Sequence, residues 1–143
     1  MIDAFMTVWE QRSPELLKKY LKEHPGSYAS IVKDAIQLLN DPDHPAYKNE
    51  NGTDALDYPP DPERIHMIDD GDYQGTQVFI VAAQGYQPSE YWYVKMSYGS
   101  CSGCDWLEGV KDYRNSDEPP TEAQAQEYLN MAAHVVQNLK KME

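Results

Sequence analysis

Cysteine is nearly absent from this chain: two residues occur, Cys101 and Cys104, in a single C-x-x-C. Two thiols are too few for a disulfide framework, and they supply at most half of the four ligands that structural zinc normally takes. Basic residues are also scarce, 12 Lys and Arg against 24 Asp and Glu, for a formal net charge of -12. That balance excludes bare nucleic acid and anionic membranes as natural partners. No run approaches the roughly 18 apolar residues needed to span a bilayer. The opening MIDAFMTVWEQRSPELLKKY has an acid at its start and no basic region ahead of an apolar block, so it does not read as a signal peptide. The expected compartment is the cytoplasm, where thiols stay reduced. Also missing are a Gly-rich phosphate loop, G-x-S-x-G, HExxH, an internal repeat and any low-complexity tract.

What is present suits one domain of 143 residues, with eleven Tyr and three Trp beside Ile, Leu and Val to build its core. The acid excess is concentrated. Residues 1 to 40 carry five acids and five bases, whereas residues 41 to 72 carry ten acids and two bases, a local net charge of -8. Such a run is either a solvated loop or an acidic surface facing a basic partner.

The first forty residues read as a helical unit. Ile2, Phe5, Met6 and Trp9 share one helical face. Ser13-Pro14 reads as an N-cap and first helical residue, starting a second helix to about Glu23 with Leu16, Leu17, Tyr20 and Leu21 inward. A third helix from Ser27 carries Tyr28, Ile31, Val32, Ala35, Ile36 and Leu39 on one stripe and stops at Asn40-Asp41-Pro42. Residues 41 to 63 then form an acidic loop without apolar periodicity, which holds five of the ten prolines. His24 and His44 each precede a proline and read as turn residues.

Beyond the loop the period changes to that of strands. Arg64 to Asp69, Gln77 to Ala83 and Tyr91 to Tyr98 are rich in aromatic and β-branched residues, and DDGDYQGT and QGYQPS between them are turn sequences. In the third strand Trp92, Val94, Met96 and Tyr98 face one side and Tyr91, Tyr93, Lys95 and Ser97 the other. Asp105 and Glu108 have the spacing of a capping box, as do Thr121 and Gln124 ahead of a long final helix. The stripe Tyr128, Ala132, Val135, Val136 and Leu139 of that helix is expected to pack on the sheet, with His134 at its margin. The fold class is α+β: an N-terminal helical unit, a three-stranded antiparallel meander and a C-terminal helix, in a single domain spanning residues 1 to 143.

Three constellations bear on chemistry. The C-x-x-C lies between a strand and a helix start, where helix amides and dipole stabilise a thiolate. A redox couple there lacks the βαβ pattern and opposing proline of a thioredoxin-like fold; a zinc site needs further ligands, and His66 on the first strand is the best remaining candidate. The plain alternative is a tight turn of small residues with two semi-buried thiols. Asp69, Asp70 and Asp72 crowd a hairpin loop and offer either a hydrolytic or cation-binding cluster or a solvated turn, and they lack the spacing of a calcium loop. Tyr91 and Tyr93, beside Lys95, suit a protein interface or a structural aromatic ladder.

The run DDGDYQGTQVFIVAAQGYQPSEYWYVKMSYGSCSGCD, residues 69 to 105, resembles a core of small, uncharacterised proteins from bacteriophages and bacteria, marked by the DYQGT turn and a YGSCSGCD turn after an aromatic strand. The resemblance implies no activity or catalytic residue. It implies a phage or mobile-element protein made in bacterial cytoplasm.

The expectation is a non-enzymatic acidic protein-binding module, an inhibitor or nucleic-acid mimic acting on a basic host protein through Tyr91, Tyr93, Asp69, Asp70 and Asp72. No cofactor is expected under that reading. The alternatives are a zinc or thiol-redox protein centred on Cys101, Cys104 and His66, and a small hydrolase using the acidic loop.

Overall fold

The computed structural model describes residues 2–48, 58–69, 71, 75–83, 90–98, 106–110 and 118–142. It is an α+β fold in which helices cover one face of a four-stranded antiparallel sheet. In chain order the elements are α1 (Ile2–Tyr20), α2 (Tyr28–Leu39), a 3-10 turn (Pro45–Tyr47), β1 (Pro60–Asp69), β2 (Gly75–Ala83), β3 (Tyr91–Tyr98), α3 (Trp106–Val110), α4 (Glu122–Asn138) and β4 (Lys140–Lys141).

The helix break expected at Ser13-Pro14 does not occur: α1 runs through with Pro14 inside it. An interior proline loses one hydrogen bond and presses on the carbonyl four residues back, at a cost of about 3 kcal/mol. Phe5, Val8, Trp9, Leu16 and Tyr20 are all buried on one helical period that crosses the proline. Burying each such side chain contributes roughly 1.5–3 kcal/mol, so the continuous stripe outweighs the break. The helix ends at Tyr20 rather than near Glu23, and Leu21, expected inward, is 38% exposed.

The α2 helix follows its sequence pattern. The Ser27 hydroxyl accepts the Ser30 N–H at 3.2 Å, and Tyr28, Ile31, Val32, Ala35, Ile36 and Leu39 are all buried. Its C-terminal end is tied down twice, because Arg12 of α1 donates to the Leu38 carbonyl (2.8 Å) and the Tyr47 hydroxyl to that of Leu39 (2.8 Å). The acidic loop is thus partly structural. Tyr47 and His44 are buried, and the His44 ring accepts the Ala46 N–H at Nδ1 (3.0 Å) while Nε2–H donates to Gln11 (2.7 Å).

The meander has a fourth member. The sheet order is β1-β2-β3-β4, with Tyr93 opposite Lys140 and Trp92 opposite Lys141. The first strand starts at Pro60, earlier than the periodicity suggests; two prolines are tolerated there because β1 is an edge strand and its register shifts between Pro60 and Ile65. Register then sorts the side chains, since directly paired residues share a face. The inner face carries the rows Ile65–Val81–Trp92 and Met67–Phe79–Val94. The outer face carries His66–Ile80–Tyr93–Lys140, Ile68–Val78–Lys95 and Ala82–Tyr91.

The helices close over the inner face. Phe5 of α1 meets Trp92 edge-on at 5.9 Å, α2 packs against β1, and α4 touches β3. The final helix was expected to pack on the sheet, yet its buried stripe lies chiefly against α1 and α2, where Tyr20 and Tyr128 meet edge-on at 5.8 Å. Its N-terminus has the expected capping box: Thr121 accepts the Gln124 N–H (3.1 Å) and Gln124 accepts the Thr121 N–H (2.9 Å). Among the described residues no helix is long and apolar enough to cross a membrane.

Candidate functional site

The residues singled out for chemistry do not converge. Cys101, Cys104, Asp70 and Asp72 lie outside the described residues. His66 stands exposed on the outer face of β1, paired across the ladder with Ile80. Asp69 falls on the inner row at the far end of β1, where its carboxylate accepts the Gly71 N–H (3.1 Å) and a Gln77 side-chain N–H (3.2 Å). Tyr91 pairs with Ala82 at the opposite end of the sheet and on the opposite face. Asp69 therefore belongs to the turn region, and Tyr91 and Tyr93 to a different surface. Among the described residues no group of three or more His, Cys, Asp or Glu side chains could hold a metal ion.

Two histidines hold the scaffold. Besides His44, His24 donates from Nε2 to the Glu118 carbonyl (2.9 Å) and pairs through Nδ1 with the Tyr128 hydroxyl (2.7 Å), which binds the α1 end to α4. Beside it the Tyr20 hydroxyl donates to Asp34 (2.9 Å), which also takes Lys19 at 2.8 Å. Burial, then the Asp34 charge and hydrogen bond, push the Tyr20 phenol far above the usual range. Burial and the Asp41 charge do the same to Tyr47, against a smaller lowering by Arg12. Both phenols are held neutral and serve as donors, not as acids.

The outer sheet face is where unsatisfied surface collects. Ile68 and Tyr91 are exposed and Val78, Ile80, Ala82 and Tyr93 only half-buried. In a chain of net charge -12, the ladder-paired residues of this face include Lys95, Lys140 and His66 and no carboxylate. The face is apolar with a cationic side, the reverse of the chain average.

At that cationic side a cavity of about 230 Å³ opens between the β3 edge and the last turns of α4, lined by Tyr93, Val94, Lys95, His134, Asn138 and Lys140. Helix α4 starts from the Thr121 cap and ends at Asn138, and β4 pairing brings Lys140 beside Tyr93. The Asn138 amide donates to the His134 carbonyl (2.8 Å) and reaches Nδ1 of its ring at 3.2 Å, so a neutral His134 keeps its proton on Nε2. The Trp106 ring meets His134 edge-on at 6.0 Å and its indole N–H donates to Glu127 (3.0 Å). Lys141 pairs with Glu90 at 3.1 Å, whereas Lys95 and Lys140 make no ion pair among the described residues. The lining can therefore hold a negative group through two ammonium charges, an imidazole N–H and a phenol. The cavity's described lining has no activated nucleophile.

Among the described residues the backbone beside the cavity is open as well. Met142 N–H donates to the Tyr91 carbonyl (2.8 Å) and Ala83 N–H to that of Glu90 (2.9 Å), so odd-numbered residues of β3 point toward β4 and even-numbered ones toward β2. Because β4 begins at Lys140, opposite Tyr93, the ladder on this edge stops there, and the backbone groups of Lys95 and Ser97 face no described strand. Of the cavity residues, the alternation of the third strand marks Tyr93 and, beside it, Lys95 for an interface. His134, Asn138 and Lys140 are about forty positions or more away in sequence, and the signal for them, two lysines just past a helix, is indistinguishable locally from a helix tail.

No protein-family model, curated protein or solved structure matches the chain.

Proposed function

We propose that this protein is a non-enzymatic binding module that engages another polypeptide through the outer face of its sheet. The observation that carries the reading is the one-sided covering of the sheet: Ile68, Val78, Ile80, Ala82, Tyr91 and Tyr93 form a contiguous apolar and aromatic surface on the side away from the described helices. Contiguous exposed apolar surface of this kind marks interaction sites more often than chance, and tyrosines suit interface centres because an apolar ring ends in a polar tip. The partner surface that fits is apolar with acidic residues opposite Lys95 and Lys140. That differs in sign from the basic partner suggested by the acid excess alone, because the ladder-paired residues of this face include no acid.

A photo-crosslinking residue in place of Ile68, compared with one in place of Glu15 on α1, tests the reading in lysates of cells that make the protein. Discrete adducts from position 68 and none from position 15, with yields that fall as salt rises, are expected, since screening weakens the charged component. Equal adducts from both positions, or none, would sink the assignment of the face.

A further inference from the structure

The geometry points to capture of a free C-terminal carboxylate: an extended chain end pairs with the open edge of β3 in line with β4, and its terminal carboxylate enters the cavity between Lys95, Lys140 and His134. This deepens the reading of the sheet as a protein-binding surface and rests on it.

First, the edge left open among the described residues has room for only a short strand. Its available residues are Lys95 and Ser97, and a guest rising about 3.4 Å per residue covers that stretch with roughly three or four residues. Second, the guest cannot continue through. Leu139, buried as the chain leaves α4, holds the position ahead of Lys140 in the same line. An internal segment would collide there, so the guest must present a chain end.

Third, the charges choose which end. A parallel guest would bring its N-terminal ammonium to the junction and an antiparallel guest its carboxylate. Lys95 and Lys140 repel the first and attract the second. The α4 C-terminal end contributes about half a negative charge nearby, less than the two lysines supply. The Lys95 N–H on the free edge, the Nε2–H of neutral His134 and the Tyr93 hydroxyl are further donors on this side of the sheet. Tyr93 also continues the cavity onto the apolar outer face, where the guest's alternate side chains would lie.

The test uses the whole chain and a dye-labelled hexapeptide of alternating threonine and valine, followed by fluorescence anisotropy. The free-acid peptide is expected to bind; amidating its C-terminus, or combining Lys95→Gln with Lys140→Gln, weakens binding by about tenfold or more, the scale of one lost charge-assisted hydrogen bond. N-methylation of the amide that pairs with Lys95 has a comparable effect if the guest is a strand. Equal binding of acid and amide peptides, binding unaffected by N-methylation, or no binding of any peptide would each overturn the proposal. The same Lys95→Gln/Lys140→Gln protein with the crosslinker at Ile68 separates the two readings: adducts that persist while peptide binding is absent remove the carboxylate site and leave the sheet face standing.

Discussion

Replacing Tyr20 and Tyr47 together by phenylalanine probes the buried phenols directly, because both are fully enclosed and both are held protonated by burial and by a neighbouring carboxylate. Below about pH 10 folded and unfolded chains both carry neutral phenols, and the variant differs only by lost hydrogen bonds. These are Tyr20 to Asp34 at 2.9 Å and Tyr47 to the Leu39 carbonyl at 2.8 Å. With the buried Leu39 carbonyl and a half-buried oxygen of Asp34 left behind, the cost is about 1–2 kcal/mol per site.

Above that pH the unfolded state releases two protons that the native state retains. The unfolded state then binds fewer protons, so native stability falls as pH rises. The slope is about 1.4 kcal/mol per pH unit for each phenol, or roughly 2.7 for the pair, and the variant lacks it. The native protein should be the more stable of the two at pH 8, lose its advantage about one unit above pH 10, and fall below the variant thereafter. Urea unfolding followed by tryptophan fluorescence across this range measures both curves. Parallel curves with no convergence would refute the claim that these phenols are held neutral in the fold.

Two further outcomes follow from α1 and α4. Pro14→Ala should stabilise the protein by about 1–3 kcal/mol, since α1 already runs through that position and alanine restores the missing donor, while the more flexible unfolded chain offsets part of the gain; a lower urea midpoint would show that the proline is accommodated without strain. Thr121→Ala should cost about 1 kcal/mol through loss of the capping box and speed hydrogen exchange in the first turn of α4, which also positions α3 through the Gln124 contact to the Val110 carbonyl at 3.0 Å. Unchanged exchange there would mean that tertiary packing alone holds the helix start.

The particular elements show where local pattern suffices. The α2 stripe, its Ser27 cap and the alternation of Trp92, Val94 and Met96 against Tyr91, Tyr93 and Lys95 are all present as the residues suggest. Each depends on a period of two or 3.6 residues and on one amphipathic surface finding apolar cover. The Ser13-Pro14 break failed because a local rule about proline was outweighed by five buried side chains on one continuous face. The aspartates and the tyrosines, adjacent as candidates in an acidic chain, were separated by strand register, which sends Asp69 and Tyr91 to opposite faces.

From the sequence alone follow the α+β class, the helical start, the strand-rich middle, the capped final helix and a net charge of -12, because each is a property of neighbouring residues or of a sum over all of them. Only the tertiary structure decided that two lysines after α4 would become a strand, that this strand would stop at Tyr93, and that Lys95, His134 and Lys140 would share one cavity. Strand pairing joins residues by shape and hydrogen bonding across long separations, and a two-residue strand has too few side chains to announce its partner.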